Sequence, residues 1–193
     1  MDGTVRLRQT AVGDGAAIAA IYAPYVSDTI ISFETEPPAA AEMSRRIASV
    51  GERHPWLLAE QGGQVLGYAY AGEHRSRAAY RWDVDVAVYL AAAAHRRGIG
   101  RRLYQALFGV LRLQGYINAY AGIALPNAAS IGLHESLGFA PVGIYRKVGY
   151  KYGDWHDVGW WALNLQAPPP MPAEPVPYSK LDRAILHALL EAA

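Results

Sequence analysis

The chain contains no cysteine. A thiol nucleophile, a disulfide framework and any thiolate-held zinc or iron–sulfur centre are therefore excluded. An excess of charge of either sign is missing too. Eighteen Lys and Arg against 17 Asp and Glu leave a formal charge of +1, far from the concentrated basic surplus that nucleic acid or an anionic membrane demands of its main partner. No apolar run approaches the roughly 18 residues of a membrane span, and the opening MDGTVRLRQT lacks the apolar stretch of a signal peptide. A cytoplasmic protein with no membrane contact is the expectation. Charged residues make up only 18% of the 193, against 52% hydrophobic, so wholesale disorder is excluded. The six histidines show no metal-ligand spacing, and no metal site is expected. What is abundant is arginine. Fifteen of the 18 cations are Arg, the side chain suited to forked recognition of phosphate and carboxylate.

Half of the twelve prolines fall in residues 167–177, APPPMPAEPVP. Such a segment forms neither helix interior nor central strand and reads as an extended linker. It separates a domain over residues 1–166 from a tail over 178–193. In the tail, Ser179 and Asp182 suggest a helix start, and Leu181, Ile185, Ala188 and Leu189 form an apolar stripe.

Within 1–166 the periodicities alternate. Strands are expected at residues 5–9, 56–60, 65–70, 82–90, 117–123, 142–147 and 157–165. Helices are expected at 14–26 with Asp14 as N-cap, at 38–50 with Pro38 near its first turn, at 98–114 and at 127–137. The Gln61-Gly62-Gly63 turn predicts a hairpin. The order β-α-α-β-β-β-α-β-α-β-β specifies an α/β fold, a twisted mixed sheet with helices on both faces.

The most informative junction is Val88-Tyr89-Leu90, four alanines, then His95-Arg96-Arg97-Gly98-Ile99-Gly100-Arg101-Arg102. Two glycines one residue apart let backbone approach a ligand, and the helix that starts there offers unpaired N–H groups and its positive dipole end to a pyrophosphate. The lysine of a P-loop is absent, and so is the third glycine of a dinucleotide fingerprint. A solvated basic turn is the alternative.

Asp83 and Asp85 alternate with Val84 and Val86 along a strand, so both carboxylates share one face about 7 Å apart. Two readings stand: a general base raised in pKa by burial and like charge, or a strand end paired to Arg75, Arg77 or Arg81. The loop holding Arg75, Arg77 and Tyr80 can clamp a small anion or simply be solvated.

Several separated blocks resemble one family. His95 to Gly100 is similar to the acetyl-CoA signature Gln/Arg-x-x-Gly-x-Gly/Ala of GNAT N-acetyltransferases, with His95 in the first place. Asn127 to Phe139 (NAASIGLHESLGF) resembles the family's Asn-x-x-Ser-x-x-Leu-Tyr/His-Glu-x-Leu-Gly-Phe block. FETEP at 33–37, PWLLAE at 55–60, GYAYAG at 67–72 and GYKYGDWHDVG at 149–159 resemble the phosphinothricin and methionine sulfoximine acetyltransferases within that family. Together they span about residues 5–165. The resemblance implies the GNAT acyl-CoA fold and acetyl-CoA as co-substrate, held by Val88, Tyr89, Leu90, Arg96, Arg97, Gly98, Ile99, Gly100, Arg101 and Asn127. It implies a catalytic base at Asp85, where relatives carry glutamate, and a catalytic role for His134 in protonating the thiolate or orienting the acceptor. It also implies an acceptor pocket that includes Phe33, Arg75, Arg77 and Tyr80. The lack of cysteine excludes an acetyl-cysteine step, and the resemblance implies direct attack on acetyl-CoA by a small amine, an amino acid of the phosphinothricin or methionine sulfoximine type. A polyamine, a protein N-terminus or a xenobiotic amine are the alternative acceptors, and a non-catalytic acyl-CoA-binding module is the rival of another class. Relatives of this type pair, so a homodimer is expected, with the tail stripe on its own domain or on a second subunit.

Overall fold

The computed structural model describes residues 3–192; Met1, Asp2 and Ala193, at the ends of the expected domain and tail, lie outside the described residues. Twelve elements follow in the order β1 (Arg6–Gln9), α1 (Gly15–Ser27), α2 (Ala40–Val50), β2 (Trp56–Gln61), β3 (Gln64–Glu73), β4 (Asp83–Leu90), α3 (Ile99–Gln114), β5 (Asn118–Ala124), α4 (Ala128–Glu135), β6 (Ala140–Lys151), β7 (Asp154–Asn164) and α5 (Arg183–Ala192). The seven strands form one sheet in the order β1-β2-β3-β4-β5-β7-β6. All neighbours are antiparallel except β4 and β5.

Helices cover both faces. On one, α1 and α2 place Ile18, Tyr22, Met43 and Ile47 against Trp56, Leu58 and Tyr68. On the other, the stripe of α3 (Leu103, Tyr104, Leu107, Leu111) packs on Val84, Val86, Ala119, Ala121 and Ile123. The alternation of β4 sorts the strand between these two cores, the valines toward α3 and the aspartates away from it. The 61–63 turn has Gly62 at φ 58° and Gly63 at φ 83°, the left-handed pair that a two-residue hairpin requires.

Local details differ from expectation. Asp14 does not cap α1 with its side chain; its carboxylate is drawn off by Arg8 (2.7 and 2.8 Å) and the Ala11 amide (2.7 Å). Pro38 stands just outside α2, whose N-cap is Ala39. Strands β6 and β7 run longer than expected because each supplies backbone partners to the other over most of its length.

The tail folds back on its own domain. Asp182, not Ser179, caps α5, accepting from the Ala184 and Ile185 amides at 2.8 and 3.2 Å. The buried side chains are Leu186 and Leu190, while Ile185 faces solvent. Leu189 fills the space a side chain at Gly109 of α3 would need. The proline-rich segment is strapped down by Gln114, whose Nε2 donates to Val176 O, and by Trp82 Nε1, which donates to Ala173 O, both at 2.8 Å.

Candidate functional site: a split between two parallel strands

The β4–β5 ladder holds only from Asp83–Asn118 to Asp85–Tyr120. Both strands continue, to Leu90 and Ala124, without pairing. The β3 side of β4 shows which groups this leaves open. Ala91 N donates to Leu66 O, and the register Gly67↔Leu90 to Gly72↔Asp85 makes Asp85, Ala87 and Tyr89 the residues bonded to β3. By antiparallel alternation, the amides and carbonyls of Val86, Val88 and Leu90 point into the split. Those of Leu90 meet the Tyr25 hydroxyl, which donates to Leu90 O at 2.7 Å and accepts from Leu90 N at 3.3 Å. Val86 and Val88 remain, a stretch of strand edge that an amide-bearing chain can pair with. Tyr89 packs in the α1–α2 core against Tyr22 and Tyr25 and also lines the cavity between the two strands.

At the open end of the split stands the N-terminus of α3. Gly98 is its N-cap at φ 76°, a left-handed conformation that glycine adopts without strain, and no side chain caps the first turn. Ile99 and Gly100 are buried in that turn, and a methyl at Gly100 would point at Leu133, Leu90 and Val88. The arginines around it are not equivalent. Arg97 binds Gln61 (2.7 Å), and Arg101 binds Ser136 O and Oγ (3.2 and 2.8 Å). Arg96, at φ 57° and exposed, makes no hydrogen bond or ion pair among the described residues. His95 Nε2 lies 3.1 Å from the Tyr25 hydroxyl. Uncapped amides, the helix dipole and a free arginine fit a pyrophosphate.

The far wall is α4, capped by Asn127, whose Oδ1 accepts from Ser130 N at 3.1 Å. His134 is buried there. Its Nδ1 lies 2.7 Å from Ser130 O and its Nε2 3.0 Å from the Tyr104 hydroxyl. A carbonyl only accepts, so Nδ1 carries the proton and Nε2 accepts from Tyr104. Burial lowers the pKa of His134, opposed by the bond to Ser130. With both ring nitrogens engaged by Ser130 and Tyr104, His134 directs no proton into the split.

At the closed apex is Asp85. Burial raises the pKa of its carboxyl, and the hydrogen bond and charge of His74, with the charge of Arg75, oppose the rise. Asp83 is not the source of that rise; its Oδ1 accepts from Asn118 Nδ2 at 2.9 Å. Nor does an arginine pair with Asp85: Arg81 pairs with Glu174 instead. The partner is His74, whose Nδ1 lies 2.6 Å from Asp85 Oδ1. The sequence reading missed His74 because it ended β3 at Tyr70. Carrying the alternation Tyr68, Tyr70, Gly72 two residues further places His74 on the same face.

Around Asp85 and His74 the α1 side of the sheet gathers aromatic walls. Tyr120 stacks on His74 (4.3 Å between centroids), and Trp160 and Tyr80 meet its edge at 6.0 and 6.3 Å. Arg75 lies over Trp160 at 5.7 Å. Phe33 faces His156, two strand repeats from Trp160 on β7, and its ring occupies the space a side chain at Gly149 would fill. Arg77 is not brought to this wall. It lines a separate cleft with Arg53, Arg81, Tyr116 and Glu174, so a paired clamp of Arg75 and Arg77 does not form. Among the described residues, no three His, Cys, Asp or Glu side chains gather to hold a metal, and no helix is long and apolar enough to cross a membrane.

A mixed sheet split at its single parallel step, with a glycine-opened helix N-terminus at one end and a carboxylate at the other, is the architecture of an acyl-CoA-dependent acyltransferase. Residues 7–160 match the Acetyltransferase (GNAT) domain, and the chain belongs to that family. It is 40% identical over 173 residues to a phosphinothricin N-acetyltransferase of Streptomyces viridochromogenes, covering 89% of this chain and 94% of that protein. It is 37% identical over 164 residues to the L-methionine sulfoximine/L-methionine sulfone acetyltransferase of Pseudomonas aeruginosa (82% and 94% covered). The crystal structure of a phosphinothricin acetyltransferase from Sinorhizobium meliloti in complex with acetyl-CoA superposes with a TM-score of 0.85 at 34% identity, over 92% of this chain and 98% of that one.

Proposed function

We propose that this acetyl-CoA-dependent N-acetyltransferase acetylates the α-amino group of a small amino acid of the phosphinothricin or methionine sulfoximine type. The observation that carries the reading is the position of Asp85 and His74 where the β4–β5 ladder ends. A thioester threaded along Val86 and Val88 meets there an amine delivered from the aromatic face. Acetyl-CoA supplies the acetyl group as an activated thioester. The α3 N-terminus and Arg96 hold its pyrophosphate, with Val88, Gly98, Ile99, Gly100 and Asn127 lining its path. Arg75 takes the acceptor's carboxylate or its second polar head, and Phe33, Tyr80 and Trp160 enclose the carbon chain. His134 acts as a positioning residue, tying α4 to Tyr104 of α3 across the back of the split.

The reading extends to a homodimer in the cytoplasm. Seven large hydrophobic residues of the β6–β7 hairpin, among them Val142, Tyr150 and Trp155, are exposed, and β6 is the edge strand of the sheet. A long apolar edge is a surface that proteins cover, and a second copy of the same hairpin is the cover proposed here. The tail helix is not needed for it.

Thiol release from acetyl-CoA, measured with phosphinothricin, methionine sulfoximine, a polyamine and an N-terminal peptide, tests the acceptor. Amino-acid analogues turning over at least tenfold faster in kcat/KM than the other amines is the expected result. A preference for the polyamine or the peptide would overturn it.

A further inference from the structure

Asp85 is a poor base for direct proton abstraction. Its side chain is one bond shorter than a glutamate, and its Oδ1 is occupied by His74. The same hydrogen bond defines the imidazole. A carboxylate facing Nδ1 fixes the proton on that nitrogen and leaves the lone pair on Nε2. Nε2 has no hydrogen-bond partner among the described residues, and it is not among the polar atoms sealed from solvent without one. The ring is held by Tyr120 beneath it and by the edges of Trp160 and Tyr80, so its orientation is set before any substrate arrives.

From this geometry we propose that His74, oriented by Asp85, is the general base that deprotonates the acceptor amine. The inference rests on the acetyl-transfer reading but not on which amine is the acceptor. One ammonium proton passes to His74 Nε2, and the imidazolium is held against the Asp85 carboxylate. The nitrogen lone pair forms the C–N bond, the C–S bond breaks with its electron pair going to sulfur, and the second nitrogen proton ends on that sulfur as the free thiol. His74 then returns its proton to water. The titratable and charged groups facing it are Asp85 from β4, Tyr120 from β5, Tyr80 from the loop after β3, and its neighbour Arg75.

The test uses the full-length protein and whichever amine the acceptor panel finds best. His74→Phe, which keeps the stacking, and His74→Gln, which keeps a polar group, are compared with wild type in kcat, in acetyl-CoA affinity by calorimetry, and in the pH profile of kcat/KM. Expected are a kcat lower by about 10²- to 10⁴-fold, unchanged acetyl-CoA affinity, and loss of the acid-side inflection, with imidazole in the buffer restoring part of the rate to the folded variants. A kcat within threefold of wild type in either variant, or an acid limb that survives both while Asp85→Asn abolishes it, would overturn the proposal and return the role to Asp85. If wild type acetylates only non-amino-acid amines, the acceptor reading fails, and the His74 comparison is still decided on those amines.

Discussion

Lys151 offers a quantitative handle on the proposed acceptor pocket. The residue is only 6% exposed, and its ammonium donates to three main-chain carbonyls, Val26 O at 2.6 Å, Thr29 O at 3.0 Å and Ser32 O at 2.7 Å. All three donors of the ammonium are used, and together they pin the end of α1 and the loop that leads to Phe33 onto the β6–β7 hairpin. Lys151→Met keeps the length and apolar body of the side chain and removes those bonds. The one proton of the Tyr152 hydroxyl lies between Ser27 O at 2.6 Å and Val26 O at 3.1 Å, so at least two carbonyls, Thr29 O and Ser32 O, lose their partner. An unpaired buried acceptor costs about 1–3 kcal/mol. Thr29 O is only partly buried, and the variant is relieved of desolvating an ammonium, so a net loss of roughly 2–4 kcal/mol is expected. For a chain of this size each kcal/mol lowers Tm by about 2–4 °C, which puts the drop at about 4–16 °C. Below its melting range the variant should show KM for the acceptor raised about tenfold or more, because the loop bearing Phe33 is released, with acetyl-CoA affinity unchanged. Differential scanning calorimetry and steady-state kinetics read both. A Tm within 1 °C of wild type together with an unchanged acceptor KM would refute the reasoning, since the three bonds would then be holding nothing.

Three further outcomes follow from other parts of the molecule. Burial against Tyr116 pushes His54 down to about 4, below its ordinary 6.5, so between those values the unfolded chain binds a proton that the folded chain refuses. Stability therefore falls as pH drops from about 6.5 to 4, by up to about 3 kcal/mol. His54→Phe should flatten Tm against pH in that window, and an unaltered slope would show that the group does not govern it. Leu186→Ala and Leu190→Ala, each removing a buried contact of α5 with the main core, should each cost about 2–5 kcal/mol by urea unfolding; a cost under 0.5 kcal/mol for both would mean the tail is only loosely docked. Arg96→Ala should weaken acetyl-CoA binding about 10- to 100-fold, the worth of one charged hydrogen bond, without moving Tm. A dissociation constant unchanged by calorimetry would remove Arg96 from the phosphate site.

Much of the architecture was legible in the sequence because it is written in short-range periodicity. The alternation of Asp83 to Val88 sorts one strand between two cores, the stripe of α3 fixes which face it buries, and Gly62-Gly63 and Gly98 stand where positive φ is needed. These depend on residues within a turn or two of one another, and on the steric freedom of glycine. The tail shows where that reading runs out. Of its expected stripe, Leu181 and Leu189 pack on the core but Ile185 faces solvent, and Leu186 and Leu190 are the side chains fully buried, because only packing on α3 and β1 chooses the face.

The site itself was decided by pairings that no local pattern encodes. That β4 and β5 separate after Asp85 and Tyr120 depends on the register of two strands 35 residues apart. That Asp85 meets His74 and not an arginine depends on the β3–β4 register, which sets Gly72 opposite Asp85 and carries the chain on past it. Arg75 and Arg77, two residues apart in sequence, face different clefts: Arg75 lies over Trp160, while Arg77, the extended residue before the helical turn Ala78–Tyr80, lines the cleft with Arg53 and Glu174. Lys151 finds its three carbonyls more than 115 residues away in sequence. A side chain's identity determines which hydrogen bonds it can make. Which partner is within 3 Å is determined only when the sheet closes and burial leaves each polar group a single place to turn.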